Sequence, residues 1–437
     1  MAFSCGRLAT LSASVLAIFS IASPMFAADP ASTSTSPTSI SSTSSFPASA
    51  ELVAAASKEP SLTPQAASAG HDGKRFFIDD GSGNRLTFSG VIQFRYQATI
   101  RNAPAPIPSD PDLADQDPKD FTHGFSNRRV RLGAQGTIQK DTTYRIEIDF
   151  AGGPANLIDS AITHNLGKGL SIRAGQFKLP FLREEIISHT VQLATDRSLV
   201  NTVFTLDISP AISLDWKNDT YRASFSFNDG GGVNNTYYDN PREADWALTG
   251  RIERAITGPW SQSEQFTSWI GDPFALYLGA AGHAQQRGDT GSITGATNDV
   301  DFYGFTGDIM LKGNGWNAFA AVVGRTSQIS SGDVSDYGLL LQTGAFVAEQ
   351  HELFARYALI VPDTDRSTDD AFHEVIFGHN YYISPKSHVA KLTTEVVWFP
   401  GDQAGSASLI KENANRGFLN SDEPNEVTLR IQLQAVF

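Results

Sequence analysis

Apolar and polar residues alternate along the chain from Leu86 onward. In the first run, one face carries Leu86, Phe88, Ile92, Phe94, Tyr96, Ala98 and Ile100, and the other carries Thr87, Ser89, Gln93, Arg95, Gln97 and Thr99. A period of two residues is typical of a β-strand, because the 3.6-residue period of a helix would scatter these side chains. The same alternation recurs over residues 143–150 and 427–437. The pattern predicts an all-β fold.

Turn-forming residues divide this pattern into about sixteen strands. We expect them to begin near residues 86, 124, 142, 157, 170, 208, 220, 244, 273, 299, 316, 336, 351, 372, 388 and 426. Tight turns such as Lys140-Asp141 and Gly167-Lys168-Gly169 fall at every second connection, and links such as 178–207 are long. Short turns on one side and long loops on the other are typical of outer-membrane barrels. The sequence predicts a transmembrane antiparallel up-and-down β-barrel over residues 71–437.

Two connections depart from this alternation. The link at residues 152–155 is short where a loop is expected, and the link at residues 257–272 is long where a turn is expected. The strand count is therefore predicted only to within two.

The N-terminal segment has the composition of an exported protein. Arg7 precedes an apolar run over residues 8–21 and a small-residue segment up to Ala28, which predicts a signal peptide over residues 1–28. Residues 29–70 are dominated by Ser, Thr, Ala and Pro, which predicts a disordered linker. Cys5 is the chain's one cysteine and lies in the predicted signal peptide, so we expect no disulfide.

Charge limits the range of functions. The 47 acidic residues outnumber the 33 basic ones, for a net charge of −14, which argues against nucleic-acid binding. Arginines nevertheless recur on the polar strand faces, where a guanidinium must avoid lipid and face water. One interpretation is a basic track that attracts anions. The alternative is that carboxylates on the same faces, including Glu147, Asp149 and Glu253, pair with the arginines and brace the wall.

One segment, residues 125–190, resembles the phosphate-selective porin O/P family. The resemblance is carried by Arg128-Arg129-Val130-Arg131-Leu132, by residues 144–153 (YRIEIDFAGG) and by residues 175–185 (GQFKLPFLREE). It implies a trimeric, sixteen-stranded porin whose third loop follows the last of these runs and narrows the pore. It also implies that Arg129, Arg131, Lys178 and Arg183 contribute to the constriction.

These four residues join three others from the polar strand faces as candidates for contact with anions. The complete candidate set is Arg95, Arg129, Arg131, Arg145, Arg173, Lys178 and Arg183. Glu184 and Glu185 would compete for the basic groups. Arg128 shares the parity of Val130 and Leu132, so we expect it to snorkel at the membrane edge.

Other chemistry finds little support in the sequence. Ser188-His189 lacks the surrounding motif of a hydrolase, and the histidines lack metal-ligand spacing, so we expect no enzyme activity, cofactor or metal. The sequence favours an outer-membrane diffusion channel for small anions such as phosphate, surrounded by lipid and assembled as a homotrimer. We expect recognition of the aromatic Phe437 by the barrel-assembly machinery. A general porin of weak charge preference and a structural or adhesive barrel without an open pore remain the alternatives.

Overall fold

The computed structural model describes residues 67–71, 75–102, 120–235, 238, 243–288, 301–329, 332–365, 371–401, 409–410, 413–419 and 424–437. The predicted signal peptide and residues 29–66 of the predicted linker lie outside these residues. The last residues assigned to the linker, Ser68–Gly70, belong to a short strand.

Eighteen strands form one antiparallel sheet in the described part of the chain. They are β1 (Ser68–His71), β2 (Phe76–Asp79), β3 (Arg85–Ile100), β4 (Phe121–Ile138), β5 (Thr142–Asp149), β6 (Asn156–Gly167), β7 (Leu170–Lys178), β8 (Ile208–Lys217), β9 (Tyr221–Asn228), β10 (Trp246–Thr257), β11 (Ala275–Gln286), β12 (Asp301–Gly313), β13 (Trp316–Ile329), β14 (Gly332–Ala348), β15 (His351–Val361), β16 (Phe372–Tyr382), β17 (Ala390–Phe399) and β18 (Glu426–Val436). No helix among the described residues is long and apolar enough to cross a membrane.

Strands β3 to β18 close into a barrel of sixteen. Each pairs with its neighbour in sequence, and β18 pairs with β3 from Val427↔Ile100 to Val436↔Val91. The predicted fold is confirmed, and every predicted strand begins within four residues of an observed one; the largest difference is at β14, which begins at Gly332 and not at 336. The two short strands β1 and β2 form a hairpin that pairs with the start of β3 through Phe76↔Phe88.

The two faces of the wall differ in the way that the alternation predicts. Outward side chains are large and apolar, and Phe377, Phe305 and Ile252 are 65%, 55% and 55% exposed. Inward positions on the same strands hold buried polar groups such as Arg251 and Thr306. An apolar exterior matches lipid, and polar side chains belong in the interior.

A glycine lies at the seam where the barrel closes. Gly90 donates its N–H to the Phe437 carbonyl at 2.6 Å, and Phe437 donates back to the Gly90 carbonyl at 3.0 Å. The Phe437 ring occupies the space that a Cβ at position 90 would need. Glycine at this position leaves room for the ring, which an added Cβ would displace, and its backbone angle is ordinary.

Candidate functional site

The link between β7 and β8, residues 179–207, lies inside the barrel; we call it loop 3. It contains two short helices, α1 (Arg183–Ile186) and α2 (Leu199–Phe204), and a 3₁₀ turn at His189–Val191. Ser198 caps α2 by accepting a hydrogen bond from the Asn201 N–H at 3.0 Å, as N-cap residues do. The Thr195 hydroxyl donates to Glu395 on β17 at 2.6 Å, on the far side of the barrel.

Loop 3 fills one half of the interior by apolar packing. On the loop, Leu193, Leu199, Val200 and Phe204 are at most 3% exposed. They belong to a buried cluster that includes the inward side chains Phe319, Val323, Leu340, Phe354, Ile360, Phe372, Ile376, Val397 and Phe399 of β13 to β17. The inward face of these strands is therefore mixed: its apolar side chains pack against loop 3, between buried polar groups such as Glu395 and Arg356.

Charged contacts hold the loop as well, and they converge on Asp196. Its carboxylate lies 2.6 Å from Arg95, 3.1 Å from Arg128, 3.4 Å from Arg129 and 3.6 Å from Arg430, and its side chain is 3% exposed. Burial alone would raise the pKa of Asp196, but the positive charges, led by those of Arg128 and Arg95, hold it well below its ordinary value. Asp196 is therefore the carboxylate that neutralises this arginine cluster.

The expectation for Arg128 was wrong. A β-bulge shifts the pairing of β3 with β4, so that Gln93 faces Arg129 and Phe94 faces Asn127. The extra residue is Arg128, which turns inward and donates to Asp196 at 3.1 Å. A bulge reverses the side-chain parity at one residue, and strand alternation alone does not reveal it.

Three of the seven candidate residues are buried anchors. Arg95 and Arg129 both contact Asp196. Arg183 lies 2.5 Å from Asp308 and 2.9 Å from Glu253, and its side chain is 3% exposed. These arginines connect loop 3 to the wall and are buried where the two meet.

A second segment enters the interior from the opposite end. Residues 258–274 join β10 to β11, and we call them the inner turn; this is the link whose length departed from the alternation of short and long connections. Phe266 is 1% exposed and packs edge-on against Phe319 with ring centroids 5.0 Å apart. Lys312 donates to the carbonyls of Gln262 and Gln265 at 2.7 and 2.9 Å. The inner turn therefore underlies loop 3 on the β12 to β17 side.

The open space lies on the other side, between loop 3 and strands β4 to β10. A cavity of about 340 Å³ there is lined by six basic residues, Arg131, Arg145, Arg173, Lys178, Arg222 and Arg251, and by three acidic ones, Glu147, Asp159 and Glu253. A second cavity of about 430 Å³ shares Arg145, Asp159 and Arg173 with the first and continues past Thr137, Thr143 and Thr163 beside the short turns. We call the two cavities together the passage.

Four of the seven candidates therefore meet at the passage: Arg131, Arg145, Arg173 and Lys178. Their side chains differ in exposure, with 50% for Arg145, 29% for Arg173, 24% for Lys178 and 13% for Arg131. The sequence named all seven as candidates, from strand alternation or from the family resemblance, but did not separate the four that line the passage from the three that are buried.

Carboxylates neutralise part of this basic surface. Arg131 lies 2.9 Å from Glu147 and 2.8 Å from Asp149, and Arg145 lies 2.7 Å from Glu147. Lys178 lies 3.0 Å from Glu185, which also contacts Arg197 at 3.3 Å. Glu185 is thus an internal partner of loop 3, and so is Glu184, which accepts from the Ser198 hydroxyl at 2.6 Å. Both acids are buried and leave the first cavity with three more basic than acidic side chains.

Arg173 is the least neutralised of these groups. Its guanidinium carbon lies 3.9 Å from the centre of the Phe177 ring, so one face of the planar group is covered. Its contact with Asp215 is long, at 3.6 Å, and it makes no hydrogen bond to another described residue. Stacking thus holds the guanidinium in place and leaves its donors unused.

Sequence reasoning missed several residues of the site. Arg222 and Arg251 follow the inward alternation and were expected to face water, but they were not included in the candidate set. His189 lines the same cavity, and its burial, followed by the charge of Arg129, holds its pKa well below the ordinary value. Nothing in the sequence marked Asp196, because a loop residue is not part of the alternating strand pattern that predicts side-chain direction. Among the described residues, no group of three or more potential ligands is placed to hold a metal.

Comparison with known proteins agrees with this geometry. A family model described as phosphate-selective porin O and P matches residues 109–319. The resemblance to this family is confirmed. The matched segment contains both loop 3 and the inner turn. No curated protein matches the sequence.

Solved porin structures share the fold. An anion-selective porin from Comamonas acidovorans superposes with a TM-score of 0.55 at 14% identity and covers 81% of this chain and 100% of its own. The outer membrane channel DcaP of Acinetobacter baumannii superposes with a TM-score of 0.51 at 14% identity, and the match covers 80% of this chain and 97% of DcaP. A trimer form of OmpT from Vibrio cholerae superposes with a TM-score of 0.51 at 12% identity, and the match covers 81% of this chain and 100% of OmpT. The family match and the fold together support an outer-membrane porin channel.

Proposed function

We propose that this protein is a passive diffusion channel that prefers small anions, phosphate among them, and that ions cross the barrel through the passage. The observation that carries the proposal is the lining of the first cavity, where six basic side chains face three acidic ones. A narrow aqueous path with low-dielectric walls strengthens the field of such an excess. Basic groups lower the entry barrier for anions, while water and neighbouring carboxylates keep binding weak enough for release.

Loop 3 is the constriction in this proposal. It fills the side lined by β13 to β17 and leaves the arginine side open, so ions are brought close to Arg145 and Arg173. The buried anchors Arg95, Arg129 and Arg183 act indirectly, because they set the position of loop 3. We extend the proposal to a homotrimer in the outer membrane and to recognition of Phe437 during assembly; the fold shared with the trimer form of V. cholerae OmpT supports the first.

The experiment is single-channel recording from the refolded protein in a planar bilayer under a salt gradient, with phosphate then added to chloride. We expect an anion-selective reversal potential, and a partial block of the chloride current by phosphate. In Arg145→Gln the anion preference should fall, because this side chain is half exposed in the passage. Arg287→Gln is the matched control. Arg287 is 61% exposed, lies outside the passage lining, and pairs with Asp245 at a distance of 3.5 Å.

A general porin of weak preference is the second candidate, and Glu147, Asp159 and Glu253 in the lining favour it. Under that reading the reversal potential lies near zero and Arg145→Gln changes little. Absence of conductance from correctly folded protein would exclude both channels and leave a structural or adhesive barrel.

A further inference from the structure

The passage carries an apolar strip that an inorganic anion does not need. Ile186, at the end of α1, is 42% exposed although it lies within the barrel interior. Ile158 and Ala223, which are half-buried, line the same cavity, and Phe177 and Pro180 lie buried beneath its surface. An exposed isoleucine beside water gains stability when an apolar group covers it, because apolar surface is then removed from water.

This strip lies in the same cavity as Arg173, the least neutralised of its cations, whose contact with Asp215 is long, at 3.6 Å. Arg173 is fixed by its stacking on Phe177 at 3.9 Å and makes no hydrogen bond to a described residue. The planar, edge-on donors of a guanidinium match the two oxygens of a carboxylate. Arg145, in contrast, already donates to Glu147 at 2.7 Å.

The size of the cavity points the same way. Its volume of about 340 Å³ falls in the range of about 300–1,000 Å³ that is typical of pockets for small organic ligands. A free phosphate would leave most of this volume to water and would gain nothing from Ile186.

From these observations we propose that the passage contains a binding subsite for organic monocarboxylates with an apolar body, with the carboxylate on Arg173 and the body against Ile186 and Ile158. This inference rests on the proposed function and names a solute class for it. Binding is noncovalent and must be weak, so that the solute leaves again into the water on either side.

The experiment compares benzoate with acetate as blockers of the chloride current, in wild type and in two variants. We expect benzoate to block at a concentration at least about tenfold lower than acetate, because the ring contributes several buried carbons. Ile186→Asn should remove this difference, while Ile186→Val should keep most of it. Arg173→Gln should weaken block by both carboxylates, because both use the same cation.

A second measurement does not depend on conduction. Calorimetry on the detergent-solubilised protein should give a negative heat-capacity change for benzoate and a much smaller one for acetate, since apolar burial produces this signature. Equal potency of the two carboxylates in an anion-selective channel, or an unchanged ratio in Ile186→Asn, would overturn the subsite and leave the proposed function intact. A channel without anion preference would instead contradict the proposed function. If calorimetry shows no benzoate binding, the subsite is overturned whatever the conductance measurements give.

Discussion

Asp196 is the position where one substitution should release loop 3. Its carboxylate accepts a hydrogen bond from Arg95 at 2.6 Å and from Arg128 at 3.1 Å, with Arg129 at 3.4 Å, and the side chain is 3% exposed. Asp196→Asn keeps the shape but leaves these arginines without their shared anion. Removing one partner of a buried ion pair costs about 3–5 kcal/mol. At about 1.4 kcal/mol per factor of ten, the released form becomes at least about a hundredfold more populated.

The assay is limited trypsin digestion, followed by mass spectrometry for cleavage after Arg197, together with open-channel current noise. We expect wild type to resist cleavage, and Asp196→Asn to be cut and to show a larger, noisier current. The matched control is Asp245→Asn, which breaks an exposed pair with Arg287 worth about 0–1 kcal/mol. If Asp196→Asn and Asp245→Asn behave alike in both readouts, the role of Asp196 as the loop anchor is refuted.

Three further outcomes follow from the same contacts. The pKa of Asp196 is depressed in the folded protein, so its contribution to the stability of loop 3 is fully present above the unfolded pKa of about 3.9 and is lost only as pH falls through the lower folded value. Wild-type loop 3 should therefore stay resistant to an acid-active protease at pH 4. Phe266→Ala should destabilise the inner turn by about 3–5 kcal/mol and enlarge the conductance, measured in bilayers beside the exposed control Phe274→Ala. Gly90→Ala should lower the yield of heat-resistant barrel on gels because the added Cβ meets the Phe437 ring, whereas Gly124→Ala, which meets nothing, should not.

The strand architecture follows from local information, which is why the sequence predicts it well. Alternation such as that from Leu86 to Ile100 depends only on neighbouring residues and on the apolar medium outside the barrel. The excess length of residues 257–272 was also visible, but not its reason. That reason is an inward path that buries Phe266 against Phe319, more than fifty residues away.

The site could be predicted only in part. Period-two parity places Arg95, Arg145 and Arg173 inward, and all three do face inward. Parity does not tell which of them loop 3 covers, because that depends on contacts across the barrel such as Arg95 with Asp196. The bulge that turns Arg128 inward likewise arises from pairing between strands and not from its own strand's sequence.

The most direct test of the account is cysteine modification in the channel, in a background where Cys5 is absent. Ser224 lines the passage opposite loop 3, whereas Ser327 is an inward residue of β13 that is fully buried on the filled side. A negatively charged thiol reagent should reduce the anion current of Ser224→Cys within minutes and leave that of Ser327→Cys unchanged. Reduction at position 327, or none at position 224, would contradict a current that runs along the arginine side.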